Sequence, residues 1–347
     1  MARKLSPSRI EKRPMPPTVF VTDTTLSPAG RRVLDQAGCR VLFMTRAGSV
    51  EEVEAVLARE SVDAVISRTV DLPAGAIAAC PTLKVVSKHG VGVSNIDVPA
   101  CTSRGIPVMV TPGANARSVA ELALGLMLAA ARGIAHMDAE MRAGRWTRLR
   151  TGIELRGRTL GLVGYGQVAR LVAAYGSALG MRVLAYDPHV RPAPGDATEM
   201  RSDLEGLLRA SDVLSLHVPL TPATRALIGA EQLALLPEGA ILVNTARGEV
   251  VDETALADVL VHGRLHAAGL DTLAVEPMTR DNPLRRLPNV VLTPHVGAST
   301  QAALAAMAQG AARNVLDYLS RGILPEGCVV NIDDLSNIHQ GDKHVRQ

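Results

Sequence analysis

A chain of 347 residues exceeds what one hydrophobic core usually holds and predicts two domains. Hydrophobic residues make up 47% and aromatics only 2%, so sizeable interiors must be built from Ala, Val, Leu and Ile. A net charge of only +3, no apolar run beyond residues 122–131 and no C-x-x-C among Cys39, Cys80, Cys101 and Cys328 argue against nucleic-acid and membrane partners. They point instead to a reduced, cytoplasmic setting.

In chain order, a basic head comes first. Arg3, Lys4, Arg9, Lys12 and Arg13 precede Pro14, Pro16 and Pro17, and the head lacks the apolar stretch of a secretory signal. It reads as a solvated tail, residues 1–17. From 18 to 112, the β-like runs TVFVT, CRVLFMT, VDAVIS, LKVVS and PVMV alternate with helical patterns at 28–37, 50–60, 74–79 and 98–104. Such alternation predicts a parallel sheet with helices on its faces. No glycine fingerprint falls here, so this unit is expected to hold substrate. A long helix follows over 118–132, with Ser118 and Glu121 spaced as a capping box. A further helix over 136–144 leads to Trp146, a candidate anchor for the link.

The second unit begins at Arg158. Its strands are TLGLV, RVLAY, VLSLHV, AILVNT, HAAGLD and NVVLTP, with helices around 204–209, 231–235 and 253–261. A last helix over 299–319 is rich in alanine (Ala302, Ala303, Ala305, Ala306, Ala308), as suits close packing. The fold expected is α/β: two doubly wound, Rossmann-like parallel-sheet domains with a cleft between them. Residues 113–298 are expected to form the nucleotide domain and 332–347 a polar tail.

Gly164, Gly166 and Ala169 form G-x-G-x-x-A between two of these strands, and Asp187 ends the second, roughly 20 residues on. A lone copy of this pattern also marks ordinary turns. In this context each part has a job: Gly164 permits the tight turn, Gly166 lets backbone approach a pyrophosphate, and Ala169 allows the helix to lie close. The helix N-terminus attracts the anion, and Asp187 is placed to accept from ribose hydroxyls. Arg191, close in sequence, would soften the repulsion of a 2′-phosphate.

Ligands of such sheets sit beyond the C-terminal strand ends. His217, Arg247, Asp271, Glu276 and His295 fall there. An arginine, a glutamate and a histidine on neighbouring strand ends could meet in one cleft, although each alone is commonly a surface charge, a turn residue or a core imidazole. His262 and His266 have a possible metal spacing, but Gly263 between them stops the helix, so no metal is expected.

These segments resemble the D-isomer-specific 2-hydroxyacid dehydrogenases, and within them the phosphoglycerate dehydrogenase group. The carriers are KHGVGVSNID, TPGANARSVAELALGLML, LGLVGYGQVAR, HVPLTPAT, VNTARGEVVDETAL, AGLDTLAVEP and TPHVGAST, in order along the chain. The resemblance implies an NAD-dependent oxidoreductase interconverting a D-2-hydroxy acid and its 2-keto acid. Arg247 would hold the substrate carboxylate and carbonyl, His295 would be the acid–base, and Glu276 would pair with it. Gly164, Gly166, Gln167, Val168, Asp187, Val218, Thr245, Ala246, Asp271, His295, Val296, Gly297 and Ala298 would line NAD. The backbone at Val91 and Gly92 would complete the carboxylate pocket. Arg68 and Lys88, ending their strands, would serve a phosphate if the substrate were 3-phosphoglycerate or phosphohydroxypyruvate. A glyoxylate/hydroxypyruvate reductase is the nearest alternative, and an NADH-sensing corepressor-like protein the alternative from another class. The family also implies that residues 18–112 and 299–331 form a discontinuous substrate domain and that the cofactor domains pair in a homodimer, and in relatives the segment matching Trp146 approaches the partner's cleft. Three departures stand out: Ala169 replaces a usual glycine, Ser94 replaces an aspartate, and the chain ends without room for the regulatory domain of longer relatives.

Overall fold

The computed structural model describes residues 16–148, 152–190 and 195–336. Arg191, the basic head and most of the polar tail lie outside them. The chain divides into two compact units, one up to Thr111 and again from Met307, the other Pro112–Ala306.

In the first unit, β1 (Thr18–Val21), β2 (Arg40–Phe43), β3 (Ala64–Ser67), β4 (Val85–Lys88) and β5 (Val108–Met109) form one parallel sheet in the order β2-β1-β3-β4-β5. Between them run α1 (Pro28–Gln36), α2 (Val50–Arg59), α3 (Ala74–Ala79) and α4 (Val98–Ser103). Strand periodicity sorts the side chains between two cores. Phe20, Val65, Val86 and Val108 pack with Val53, Leu57 and Ile77 of the helices on one face. Val19, Val21, Ala64, Ile66 and Val85 pack on the other, against Leu34 and Ala308, Ala311 and Ala312. Those alanines allow close approach. A Cβ added at Gly30 of α1 would lie 2.6 Å from the Ala308 carbonyl oxygen.

The second unit opens with α5 (Ala116–Arg132) and α6 (Ile134–Arg142), which meet at left-handed Gly133 (φ 61°). Then come β6 (Thr159–Val163), α7 (Gln167–Ala178), β7 (Arg182–Tyr186), β8 (Glu199–Met200), α8 (Leu204–Arg209), β9 (Val213–Leu216), α9 (Ala230–Leu235), β10 (Ala240–Asn244), α10 (Glu253–Val261), β11 (Leu265–Leu270), β12 (Val290–Leu292) and α11 (Gln301–Arg321). Met307, where the first unit resumes, lies inside α11. The seven-stranded sheet has the order β12-β11-β10-β9-β6-β7-β8. Strand order therefore reverses between β6 and β9, the crevice where doubly wound sheets bind ligands. One face carries Leu160, Leu162, Val183 and Val243 against α5 and α7. The other carries Val163, Leu184, Leu214 and Leu242 against α8, α9 and α10.

Several sequence expectations change. The capping box does not form. Asn115 precedes the helix without a side-chain cap, so Ser118 already lies inside the first turn. Its buried hydroxyl instead donates to the Gly297 carbonyl at 2.6 Å. Two-residue β8 adds a strand that the pattern did not suggest. Cys80 and Cys101 are buried as expected, but Cys39 and Cys328 are only partly so, and all four thiols are free. Trp146 is 74% exposed, which gives it little to anchor within its own chain. His262 caps the end of α10 while His266 lies on β11, so the two belong to different elements. Among the described residues, no single helix is long and apolar enough to cross a membrane.

Candidate functional site

β6 delivers the fingerprint turn to the crevice. Gly164 has φ 86°, and a Cβ there would lie 2.7 Å from the carbonyl oxygen of His217, the residue after β9. Both the conformation and the close approach require glycine. Val218, the next residue after His217, also presses on this position. No side chain caps the N-terminus of α7, which begins at Gln167 and Val168, so its first N–H groups remain for an anion. Ala169 is fully buried, which lets α7 lie flat on the sheet. Asp187 reaches back to the turn: one carboxylate oxygen accepts from Tyr165 N–H at 2.9 Å, the other from His189 N–H at 2.8 Å. Sequence reasoning passed over Tyr165. Its buried phenol meets Asp196 at 2.7 Å and Thr198 at 2.8 Å, while the Arg170 guanidinium sits 4.5 Å from its ring centre. Just past β9, the His217 ring pairs with the Ser215 hydroxyl at 2.9 Å, and burial pushes its pKa down to about 4. It is therefore neutral at physiological pH. The Thr245 hydroxyl is buried without a hydrogen-bond partner, a polar atom left for a ligand to satisfy. Open helix N–H groups, a glycine turn, a strand-end carboxylate and this orphaned hydroxyl fit a dinucleotide.

The neighbouring strand ends bring the titratable groups together. β10 runs into Arg247, β11 leads to Glu276, and β12 ends at Leu292, directly before Thr293-Pro294-His295. The Asn244 side chain shapes the first loop, accepting from Ala246 N–H and donating to the Arg247 carbonyl, both at 2.9 Å. Gly248 has no room for a side chain, since a Cβ would overlap the backbone of Leu273 and Ala274. That contact sets the arginine loop against the segment leading to Glu276. Glu253 holds the same segment, accepting from Ala274 N–H at 2.5 Å and from Asn282 at 2.9 Å.

His295 Nδ1 lies 2.8 Å from Glu276 Oε2, and the other Glu276 oxygen accepts from Leu273 N–H at 2.9 Å. Partial burial pushes the Glu276 pKa up. The hydrogen bonds from His295 and Leu273, with the charges of His295 and Arg247, outweigh it and hold the carboxyl below its ordinary value. Burial pushes the Arg247 pKa down, against the opposing pull of Glu276 and Glu249, yet a guanidinium remains charged throughout. Asp271 is almost fully buried and builds the histidine turn. It accepts from the Thr293 hydroxyl at 2.6 Å, Val296 N–H at 2.9 Å and Gly297 N–H at 2.8 Å. Its position was anticipated, but its bonds run to Thr293 and the 295–298 turn that ends at Ala298.

Within the first unit, Lys88 ends β4 and Arg68 directly follows the end of the adjacent β3. The Arg68 guanidinium pairs with Asp23 at 3.1 Å and contacts the His89 ring. The Lys88 ammonium donates to the Arg68 carbonyl and to the Asn95 side chain. Val91 is exposed beside Gly92 in the loop that follows.

Comparison with known proteins agrees with this geometry. Residues 124–297 match the NAD binding domain of the D-isomer specific 2-hydroxyacid dehydrogenases. The chain is 46% identical over 261 residues to a D-3-phosphoglycerate dehydrogenase of Methanocaldococcus jannaschii, covering 74% of this chain and 49% of that one. It is 46% identical over 243 residues to a hydroxypyruvate reductase of Thermotoga maritima, covering 69% and 79%. The TT0316 protein from Thermus thermophilus superimposes with a TM-score of 0.81 at 37% identity, covering 90% of this chain and 100% of that one. The chain spans about half the length of the D-3-phosphoglycerate dehydrogenases it matches. It belongs to the D-isomer specific 2-hydroxyacid dehydrogenase family.

Proposed function

We propose that the protein is an NAD-dependent oxidoreductase interconverting a D-2-hydroxy acid and its 2-keto acid. The observation that carries this is the 2.8 Å pair of His295 and Glu276, on the rim of a nucleotide sheet with Arg247 on the next strand end but one. Bound NAD supplies the hydride acceptor, or NADH the donor. With Nδ1 held by Glu276, Nε2 of His295 is the nitrogen that takes the hydroxyl proton in oxidation and returns it in reduction. Glu276 provides the counter-charge for the imidazolium. The planar fork of Arg247 grips the carboxylate; on the first unit, the backbone at Val91 and Gly92 is proposed to bind a carboxylate as well. Gly164, Gly166, Gln167, Val168, Asp187, Val218, Thr245, Ala246, Asp271 and the 295–298 turn hold the cofactor. In this scheme residues 113–298 form the cofactor domain, and 18–112 with 299–331 the substrate domain. A cytoplasmic homodimer accompanies it. Support for association comes from Ile134, Met141 and Trp146, which expose large apolar surface on and after α6.

For substrate we favour 3-phosphoglycerate/phosphohydroxypyruvate, on the strength of the relatives at 46% and 45% identity that carry that name. Hydroxypyruvate or glyoxylate is the second reading. Two observations favour it: Arg68 is already paired with Asp23, and the hydroxypyruvate reductase is matched over 79% of its length. The test is absorbance-monitored NADH oxidation with a panel of 2-keto acids, followed by Arg68→Ala on phosphohydroxypyruvate and glyoxylate. A phosphate site predicts a far larger loss on the phosphorylated acid. An equal loss, or wild-type preference for glyoxylate, assigns a general 2-keto-acid reductase. No turnover of any acid refutes the proposed activity.

A further inference from the structure

The loop from Gly90 to Asp97 is tied down at both ends by side chains that no part of the chemistry above uses. At its start, Gly90 N–H donates to the Thr111 hydroxyl at 3.1 Å, and Thr111 N–H donates to the Gly90 carbonyl at 2.8 Å. At its far end stands Asn95. Its amide nitrogen lies 3.2 Å from the Ser67 hydroxyl, 3.1 Å from the Arg68 carbonyl and 2.7 Å from the Val70 carbonyl. Its backbone carbonyl accepts from Leu72 N–H at 2.8 Å. Its side-chain oxygen accepts from the Lys88 ammonium, which also donates to the Arg68 carbonyl at 2.5 Å. Lys88 is only 9% exposed, so its stem is packed.

These bonds join the end of β3 to the loop after β4. A buried ammonium with at least two of its three hydrogens committed is a poor ligand for a bulky phosphate, which is best held by several free donors. We infer that Lys88 and Asn95 are positioning residues. Together they fix the Val91–Gly92 backbone, and the direction in which Arg68 leaves its strand, so that a 2-keto acid's carboxylate meets a preformed loop. Lys88 acts through Asn95 and the Arg68 carbonyl, not by touching substrate. The inference rests on the dehydrogenase activity proposed above.

Lys88→Met keeps the apolar stem and removes all three donors, and Lys88→Arg restores donors at the same place. Both are compared with wild type for KM and kcat on phosphohydroxypyruvate and glyoxylate, and for NADH affinity by fluorescence titration. Losing two buried hydrogen bonds predicts a KM rise of about tenfold for both acids alike. NADH affinity should stay within about twofold, and Lys88→Arg should recover most of the loss. If Lys88→Met does not fold, Asn95→Asp takes its place, keeping the acceptor for Lys88 but losing the amide donors, with the same result expected. A KM rise confined to the phosphorylated acid makes Lys88 a phosphate ligand and overturns the inference, as does an unchanged KM. Wild-type protein that oxidises NADH with neither acid overturns the dehydrogenase activity itself, an outcome distinct from an unchanged variant.

Discussion

His295 occupies a backbone conformation that its residue type rarely adopts, with φ at 53°. Left-handed backbone costs a non-glycine residue on the order of 1–2 kcal/mol. The surroundings enforce it: His295 N–H donates to the Asp271 carbonyl at 2.7 Å and the Thr293 carbonyl at 3.0 Å, while the Asp271 carboxylate gathers the residues on either side. The strain aims the ring at Glu276. His295→Ala should accordingly cut turnover by at least about a hundredfold, the usual scale of general acid–base assistance, while NADH binding measured by fluorescence persists. Near-native rates in that variant would mean that another group carries the proton. Glu276→Gln acts differently, by removing the counter-charge of the imidazolium. Glu276 is held below its ordinary 4.5, so its charge is present at neutral pH and is lost only as pH falls through that lowered value. In Glu276→Gln that charge is absent at every pH, so the pH–rate profile of keto-acid reduction should differ from that of the wild type. A pH–rate profile that does not move would exclude Glu276 as the partner. Asp187 sets a third expectation. A 2′-phosphate would meet its charge, so catalytic efficiency with NADH should exceed that with NADPH, and the reverse order would remove Asp187 from that role.

At the scale of elements, most of the architecture was legible because parallel strands buried on both faces leave an unmistakable trace. AILVN and AVIS are continuous apolar runs, and both strands are fully buried. The fingerprint was legible for a related reason, since its glycines and Asp187 are fixed by backbone geometry. What the sequence could not show were bonds between distant residues. The start of α5 was misplaced because Ser118 and Glu121 carry the right types at the right spacing for a cap. The competing partner, the Gly297 carbonyl, is far away in sequence. Thr293, Tyr165 and Asn95 were missed for the same reason, since each acts through a bond to a residue well away in sequence. Ser118→Ala tests this directly. Loss of a buried hydroxyl bond should destabilise the protein by about 1–2 kcal/mol in urea unfolding. An unchanged midpoint would show that the α5 to Gly297 bond contributes nothing. The Gly248 contact is stricter, because the overlap is with backbone that cannot swing aside. Gly248→Ala should displace the arginine loop from the Glu276 segment and lower kcat/KM more than it weakens NADH binding.

At the scale of the molecule, the buried apolar side chains of the described residues gather into four clusters, two on the faces of each sheet. Each unit thus has the layered interior that a domain needs to hold its own fold. The groups proposed to hold the nucleotide all belong to one of them: Gly164, α7, Asp187, Thr245 and the 295–298 turn fall within Pro112–Ala306. A ligand stabilises only the states that bind it, so NADH alone should protect that unit selectively. At a free concentration about a hundred times its dissociation constant, the added stability is about 2.7 kcal/mol. Hydrogen exchange followed by mass spectrometry can resolve where this falls. Slower exchange is expected in peptides from β6, α7, β7 and β10, with little change in β1 through β4. Adding a 2-keto acid analogue should then slow exchange around residues 90–95, where the carboxylate is proposed to bind. Equal protection of both sheets by NADH alone would contradict a cofactor held by one unit, and would place part of its binding surface on the other.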